Sequence, residues 1–164
     1  MEYRRFHPPK NRKNELIRKV KETFNIDLEG KDIEVMENER IVYLVDKLPA
    51  FFEEQNSLYP TICGIIRLEL KKGLIVIDEG AVKALSKGAD LFAPGVIEYK
   101  CSESVGGTVL AVSLSNYPIA LLKMLVSCEE AKGMRKGKIA KNVHCIGDEI
   151  WAICKQFGFR LEKI

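Results

Sequence analysis

The chain has 164 residues, 46% of them hydrophobic and 30% charged, with 26 basic against 23 acidic side chains. That length holds one domain or two small ones, and the apolar fraction excludes a disordered or fibrous chain. No uncharged stretch approaches the roughly 18 apolar residues of a membrane helix, and MEYRRFHPPKNRKNE lacks the apolar run of a secretory signal, so the expectation is a soluble, cytoplasmic protein.

Basic residues concentrate in two places. Arg4, Arg5, Lys10, Arg12, Lys13, Arg18, Lys19 and Lys21 meet only Glu2 and Glu15 in residues 1–21, and Lys132, Arg135, Lys136, Lys138 and Lys141 have no acid among them. Such clusters on a nearly neutral chain suggest an anionic partner, or simply a solvated face and tail.

In chain order, His7-Pro8-Pro9 closes an extended basic arm, because proline excludes helix there. Asn11 or Asn14 would then cap a helix to about Phe24, with Leu16, Ile17, Val20 and Phe24 forming an apolar stripe. Asp32–Met36 and Arg40–Val45 read as a hairpin. Pro49–Phe52 and Leu58–Ile62 flank a second turn, and Ile65–Leu70 is open between strand and helix. This half reads as an α+β domain, one or two helices on a small antiparallel sheet. Lys71-Lys72-Gly73 is the boundary, giving domains 1–72 and 73–164. After it come a strand Leu74–Ile77 and a helix from Glu79 to Lys87 closed by Gly88. Short strands follow at Val96–Tyr99, Thr108–Leu114, Ile119–Ser127, Lys138–His144 and Ile150–Cys154. Many short strands around one main helix suggest a small, partly closed β-barrel.

The five cysteines, Cys63, Cys101, Cys128, Cys145 and Cys154, form no CxxC and are odd in number. They read as buried free thiols rather than a disulfide framework or zinc ribbon, although a hyperthermophile source would permit a disulfide. His144 and Cys145, adjacent on a strand, point to opposite faces and cannot easily share a metal. His144 reads as a structural histidine and Trp151, in an apolar run, as core rather than a base-stacking platform.

The informative segment is IDEGAVKALSKGADLFAPGVIEY, Ile77 to Tyr99. Gly80 and Ala81 open its helix almost without bulk, Gly88 and Ala89 close it equally bare, and Pro94-Gly95 turn beside it. Bare helix ends leave backbone N–H groups reachable, and a helix N-terminus attracts anions. Lys83 and Lys87, four apart, share a face and reach phosphates. Gly88 as a C′ cap and Gly95 as a turn residue is the purely structural alternative.

Ile77 to Ile153 resembles a PUA domain, an RNA-binding module. The matching residues are D-x-G-A (Asp78, Gly80, Ala81), K-G-A-D-L-x-A-P-G-V from Lys87 to Val96, and K-G-K-x-x-x-x-x-H-x-x-G-D-E-I-W from Lys136 to Trp151. Upstream, V-x-L-V-D-K-x-P-A-F-F-E from Val42 to Glu53, then L-Y-P-T from Leu58 to Thr61, is similar to the domain preceding PUA in the archaeal pre-PUA proteins. The same domain occurs in the malignant-T-cell-amplified-sequence (translation machinery-associated) family. The resemblance implies RNA lying against the helix, the glycine-bearing loop after it and the neighbouring strand, hence Gly80, Ala81, Lys83, Lys87, Gly88, Ala89, Pro94 and Gly95. The charge pattern adds Arg135, Lys136 and Lys138 to that RNA-binding set.

No GxSxG, Walker A, strand-linked GxGxxG or HExxH occurs. The expectation is therefore a non-enzyme with no catalytic residues, no metal and no cofactor. The function implied by the resemblance is recognition of tRNA or small-subunit ribosomal RNA in translation initiation, reinitiation or recycling, with a density-regulated-protein-like partner and no membrane. Two alternatives stand beside it: an RNA-recognition subunit for an RNA-modifying enzyme, and a protein-interaction adaptor without RNA binding.

Overall fold

Pro8 and Pro9 hold the chain extended up to Lys10, and the residues before them, Arg4–Phe6 (β1), pair antiparallel with Ile33–Glu37 (β2). The basic arm is thus an edge strand. The structure, a computed structural model, describes residues 2–164 and falls into two units, one ending at Leu70 and one spanning Lys71–Ile164.

The first unit is a five-stranded antiparallel sheet in sequence order, continuing through Ile41–Val45 (β3), Leu48–Glu54 (β4) and Ser57–Pro60 (β5). Two-residue turns join the last three strands, with Asp46 and Lys47, then Gln55 and Asn56, at positive φ, the twist that tight hairpins require. The helix α1 runs Lys10–Phe24 and buries Leu16, Ile17 and Val20 against Val35, Tyr43, Val45 and Phe51. Its N-cap is Pro9, without a side-chain bond, so neither Asn11 nor Asn14 caps it. The ambiguous segment is helical: α2, Ile62–Arg67, starts where the Thr61 hydroxyl accepts from Gly64 N–H.

Acids on β2 and on α1 itself answer much of the basic cluster. Arg4 pairs with Glu37 at 2.7 Å, Arg18 with Glu22 at 3.0 Å and Lys19 with Glu15 at 3.4 Å. Arg5 grips Glu34 at 2.9 and 3.1 Å, and Lys47 adds a third bond at 2.9 Å. Glu34 is only 5% exposed. The Arg5 hydrogen bonds, outweighing the upward push of burial, hold its carboxyl at about 2.

The second unit is a six-stranded sheet ordered β7-β11-β10-β9-β6-β8. These strands are Gly73–Ile77 (β6), Leu91–Phe92 (β7), Val96–Lys100 (β8), Thr108–Val112 (β9), Pro118–Met124 (β10) and Lys138–Cys145 (β11). All pairings are antiparallel except β6 with β9. Bonds from Asp78 N–H to Gly95 O and from Ala93 N–H to Gly137 O curl it into a partly closed barrel. Ile75, Ile77, Val109, Ala111, Leu122 and Ile139 fill it. The main helix, α3 (Glu79–Ser86), lays Leu85 onto this core; burying one leucine is worth about 2 kcal/mol.

Three features differ from the sequence reading. Ile150–Cys154 is not a strand but part of helix α5 (Glu149–Gln156), started by Asp148, whose Oδ1 accepts from Trp151 N–H at 2.8 Å. A short helix, α4 (Cys128–Lys132), capped by Ser127, precedes β11. Cys101 and Cys128 form a disulfide, Cα to Cα 6.0 Å, where free thiols were expected; Cys145 is a buried thiol. Trp151 is 5% exposed and meets Phe159 edge-on at 5.5 Å, so it is core and no stacking platform. Among the described residues no helix is long and apolar enough to cross a membrane.

Candidate nucleic-acid interface

Asp78 closes β6 and starts α3. Its Oδ1 accepts from Ala81 N–H at 2.8 Å, taking one of the helix's orphan donors, and Glu79 puts a second acid in the first turn. The helix opening is therefore served by the protein's own carboxylates. One of the backbone N–H groups expected to attract an anion is thus already occupied.

Bareness serves close approach instead. A Cβ on Gly95 would lie 2.9 Å from the Ala81 Cβ, so glycine is what lets the Ala93–Gly95 turn pack against α3. Between them runs a groove of about 220 Å³ lined by Gly80, Ala81, Ala84, Leu85, Leu91, Phe92 and Gly95, with Asp90 as its charged lining residue. Gly80 and Pro94 are exposed and Gly95 partly so.

At the other end of α3, Gly88 has φ +96°. Gly88 N–H bonds Leu85 O at 3.0 Å and Ala89 N–H bonds Ala84 O at 3.1 Å, the two bonds of a Schellman cap. That capping role accounts for Gly88 structurally, while leaving Gly88 and Ala89 exposed. Asn142 on β11 locks this loop: its Nδ2 donates to Leu85 O at 3.0 Å and Ala89 O at 2.9 Å, and its backbone N–H donates to Asp90 Oδ1 at 2.9 Å. Gly147 backs onto the Ser86 carbonyl, where any side chain would displace the helix.

Lys83 on α3 and Lys87 at its C-cap are exposed, and neither has an ion-pair partner among the described residues. Arg135 and Lys136 are exposed in the loop before β11, which the Ala93–Gly137 bond holds beside the groove turn. Lys138 is less available, because Asp90 holds it at 2.9 Å; Lys132 pairs with Glu129 at 3.8 Å. Partial burial pushes the Asp90 carboxyl up, but the Asn142 N–H and the lysines Lys138 and Lys141 hold it below its ordinary value.

The sequence reading missed two residues. Phe92 is 49% exposed between buried Leu91 and Ala93, and Lys138 Nζ lies 5.7 Å from its ring centre. An aromatic placed out of step with its buried neighbours was the available signal. Nothing in the sequence marked Asn142. His144 is 1% exposed and its Nδ1 meets Asp148 Oδ2 at 2.8 Å, consistent with a structural role.

A larger cleft, about 540 Å³, lies at the opening of α3 among Val82, Leu114, Tyr117 and Leu161, with Glu79 as its charged lining residue. Two side-chain groups have metal-ligating composition. One contains the bridged Cys101 and Cys128, and in the other Arg5 and Lys47 engage the carboxylates beside His7. Neither offers an open donor set.

A family model for the PUA domain matches residues 73–146, and one described as a domain of unknown function, DUF1947, matches residues 8–68. An uncharacterized protein of Methanocaldococcus jannaschii is 35% identical over 111 residues, covering 67% of this chain and 68% of that one. Translation machinery-associated protein 20 of Eremothecium gossypii is 29% identical over 117 residues, 67% of this chain but only 65% of that protein. Among solved structures, a PUA domain protein from Aeropyrum pernix superposes with a TM-score of 0.82 at 23% identity, covering 96% of this chain and 94% of that one, a likeness of fold.

Proposed function

The chain belongs to the family of two-domain PUA proteins, and on that premise we propose that it is a non-catalytic RNA-binding protein acting in translation. Residues 1–72 serve as a pre-PUA domain and residues 73–164 as the PUA domain that meets RNA. The observation that carries this reading is the pairing of a side-chain-poor groove with two uncompensated cations on the same helix, Lys83 and Lys87.

The groove admits a sugar or base edge against the backbone of Gly80, Ala81 and Gly95, with Phe92 as a stacking surface. Phosphates lie along Lys83, Lys87, Gly88 and Ala89, and Arg135, Lys136 and Lys138 flank the strand beyond Pro94. Asp78 and Glu79 keep phosphates away from the helix opening, which orients the strand. Relatives named translation machinery-associated protein support a link to translation, and the RNA proposed on that link is structured, tRNA or small-subunit ribosomal RNA. The proposal extends to initiation, reinitiation or recycling beside the small subunit in the cytoplasm, with a density-regulated-protein-like partner.

The test is RNA affinity across a salt series for Lys83→Glu/Lys87→Glu. Each lost single-strand phosphate contact removes about 0.7 from the log–log salt slope, so the double variant is expected to lose about 1.4. An unchanged slope sinks the interface. Co-sedimentation with small subunits supports the translational role; co-purification with an RNA-modifying enzyme instead overturns it.

A further inference from the structure

The sheet of the second unit holds an arrangement that works against its own stability. Lys123 of β10 stands directly opposite Lys141 of β11, and like charges at facing positions destabilise a strand pair. Neither lysine has an ion-pair partner among the described residues. Asp90 feels Lys141 but is already bonded to Lys138.

The row continues on the other side of Lys123. Its β9 neighbour is Thr108, whose hydroxyl accepts from Lys72 Nζ at 2.6 Å, just before β6. Glu103 acts on Lys72, so the surplus charge of the row rests on Lys123 and Lys141. With strands about 4.8 Å apart, Lys141, Lys123, Thr108 and Lys72 span about 14 Å.

We propose that Lys123 and Lys141 form a second phosphate-binding strip, which grips the sugar–phosphate backbone of the RNA as it leaves the α3 groove. The proposal rests on the RNA-binding reading and extends it to a surface outside the family resemblance. Continuity supports it: Lys141 lies close enough to act on Asp90, which lines the groove beside α3. So does composition, since the row offers ammonium and hydroxyl groups but none of the apolar anchors on which a protein partner's affinity concentrates. A polyanion bound there removes the repulsion that the free protein carries.

The experiment uses the full chain with Lys123→Gln/Lys141→Gln, an RNA hairpin bearing a single-stranded tail, and salt between about 50 and 200 mM. The expected slope loss is about 1.4, with a thermal midpoint equal to or above that of the parent protein, because a like-charge pair has been removed. A slope unchanged here but reduced in Lys83→Glu/Lys87→Glu overturns the strip and leaves the groove standing. A slope unchanged in both variants overturns the RNA-binding reading itself. A lowered midpoint assigns the lysines a structural role and overturns the strip. So does poly-glutamate binding that depends on the two lysines more strongly than RNA binding does.

Discussion

Replacing Asn142 with alanine removes one amide that makes two bonds, to Leu85 O and Ala89 O, while the backbone N–H to Asp90 stays in place. Each such bond contributes about 0.5–1.5 kcal/mol net, and carbonyls left without partners push the loss toward the upper end. The expected destabilisation is about 2 kcal/mol. For a unit of this size it lowers the melting midpoint by about 8–16 °C. Urea unfolding followed by circular dichroism reads it as a shift in midpoint at constant m-value, since little surface is added to the unfolding transition. Amide exchange at Gly88 and Ala89 should accelerate in the same variant, because their loop is held from β11. RNA affinity should fall alongside, as Lys87 and the exposed backbone lose their fixed positions. A loss below about 0.5 kcal/mol with unaltered exchange would show that the Schellman cap alone holds the loop, refuting the role given to Asn142.

Acid should act through Glu34. Its carboxyl is held at about 2 against an ordinary 4.5, so its contribution is complete above pH 4.5 and disappears as pH falls toward 2. Thermal midpoints measured across that range should drop in the parent protein and flatten in Glu34→Gln; parallel curves would contradict the Arg5–Glu34–Lys47 account. The Cys101–Cys128 bridge closes a loop with a sequence separation of 27, and chain entropy then gives about 3–4 kcal/mol. Cys101→Ala/Cys128→Ala should unfold at correspondingly lower urea; an equal midpoint would show that the bridge adds nothing.

What was legible in the sequence follows from how local each determinant is. The stripe Leu16, Ile17, Val20 marks α1 because helix period is written within four residues, and the hairpin strands stand out as short apolar runs around a polar turn. The run Ile150–Cys154 went wrong because five apolar residues do not fix a period. The helix signal lay just upstream, in Asp148 as a cap, and likewise in Ser127 three residues before Glu130. Charge was the least legible. Arg5 and Lys138 look free in sequence, yet their partners Glu34 and Asp90 arrive from 29 and 48 positions away. The candidate interface was half visible: glycines and lysines declare themselves by type, but Phe92 and Asn142 matter only through neighbours brought from other strands.

The side-by-side pairing of β6 with β9 bears on when the surface comes into being. Hairpins can zip from their turns outward, but β6 and β9 share no turn, and α3 lies in the excursion between them. The wall of the groove, β7, pairs only with β11, and the clamp on α3 comes from β11 as well. A nascent chain emerging from a ribosome therefore carries its lysines long before it carries a groove. Until the last strand is released, the surface proposed to meet RNA is incomplete.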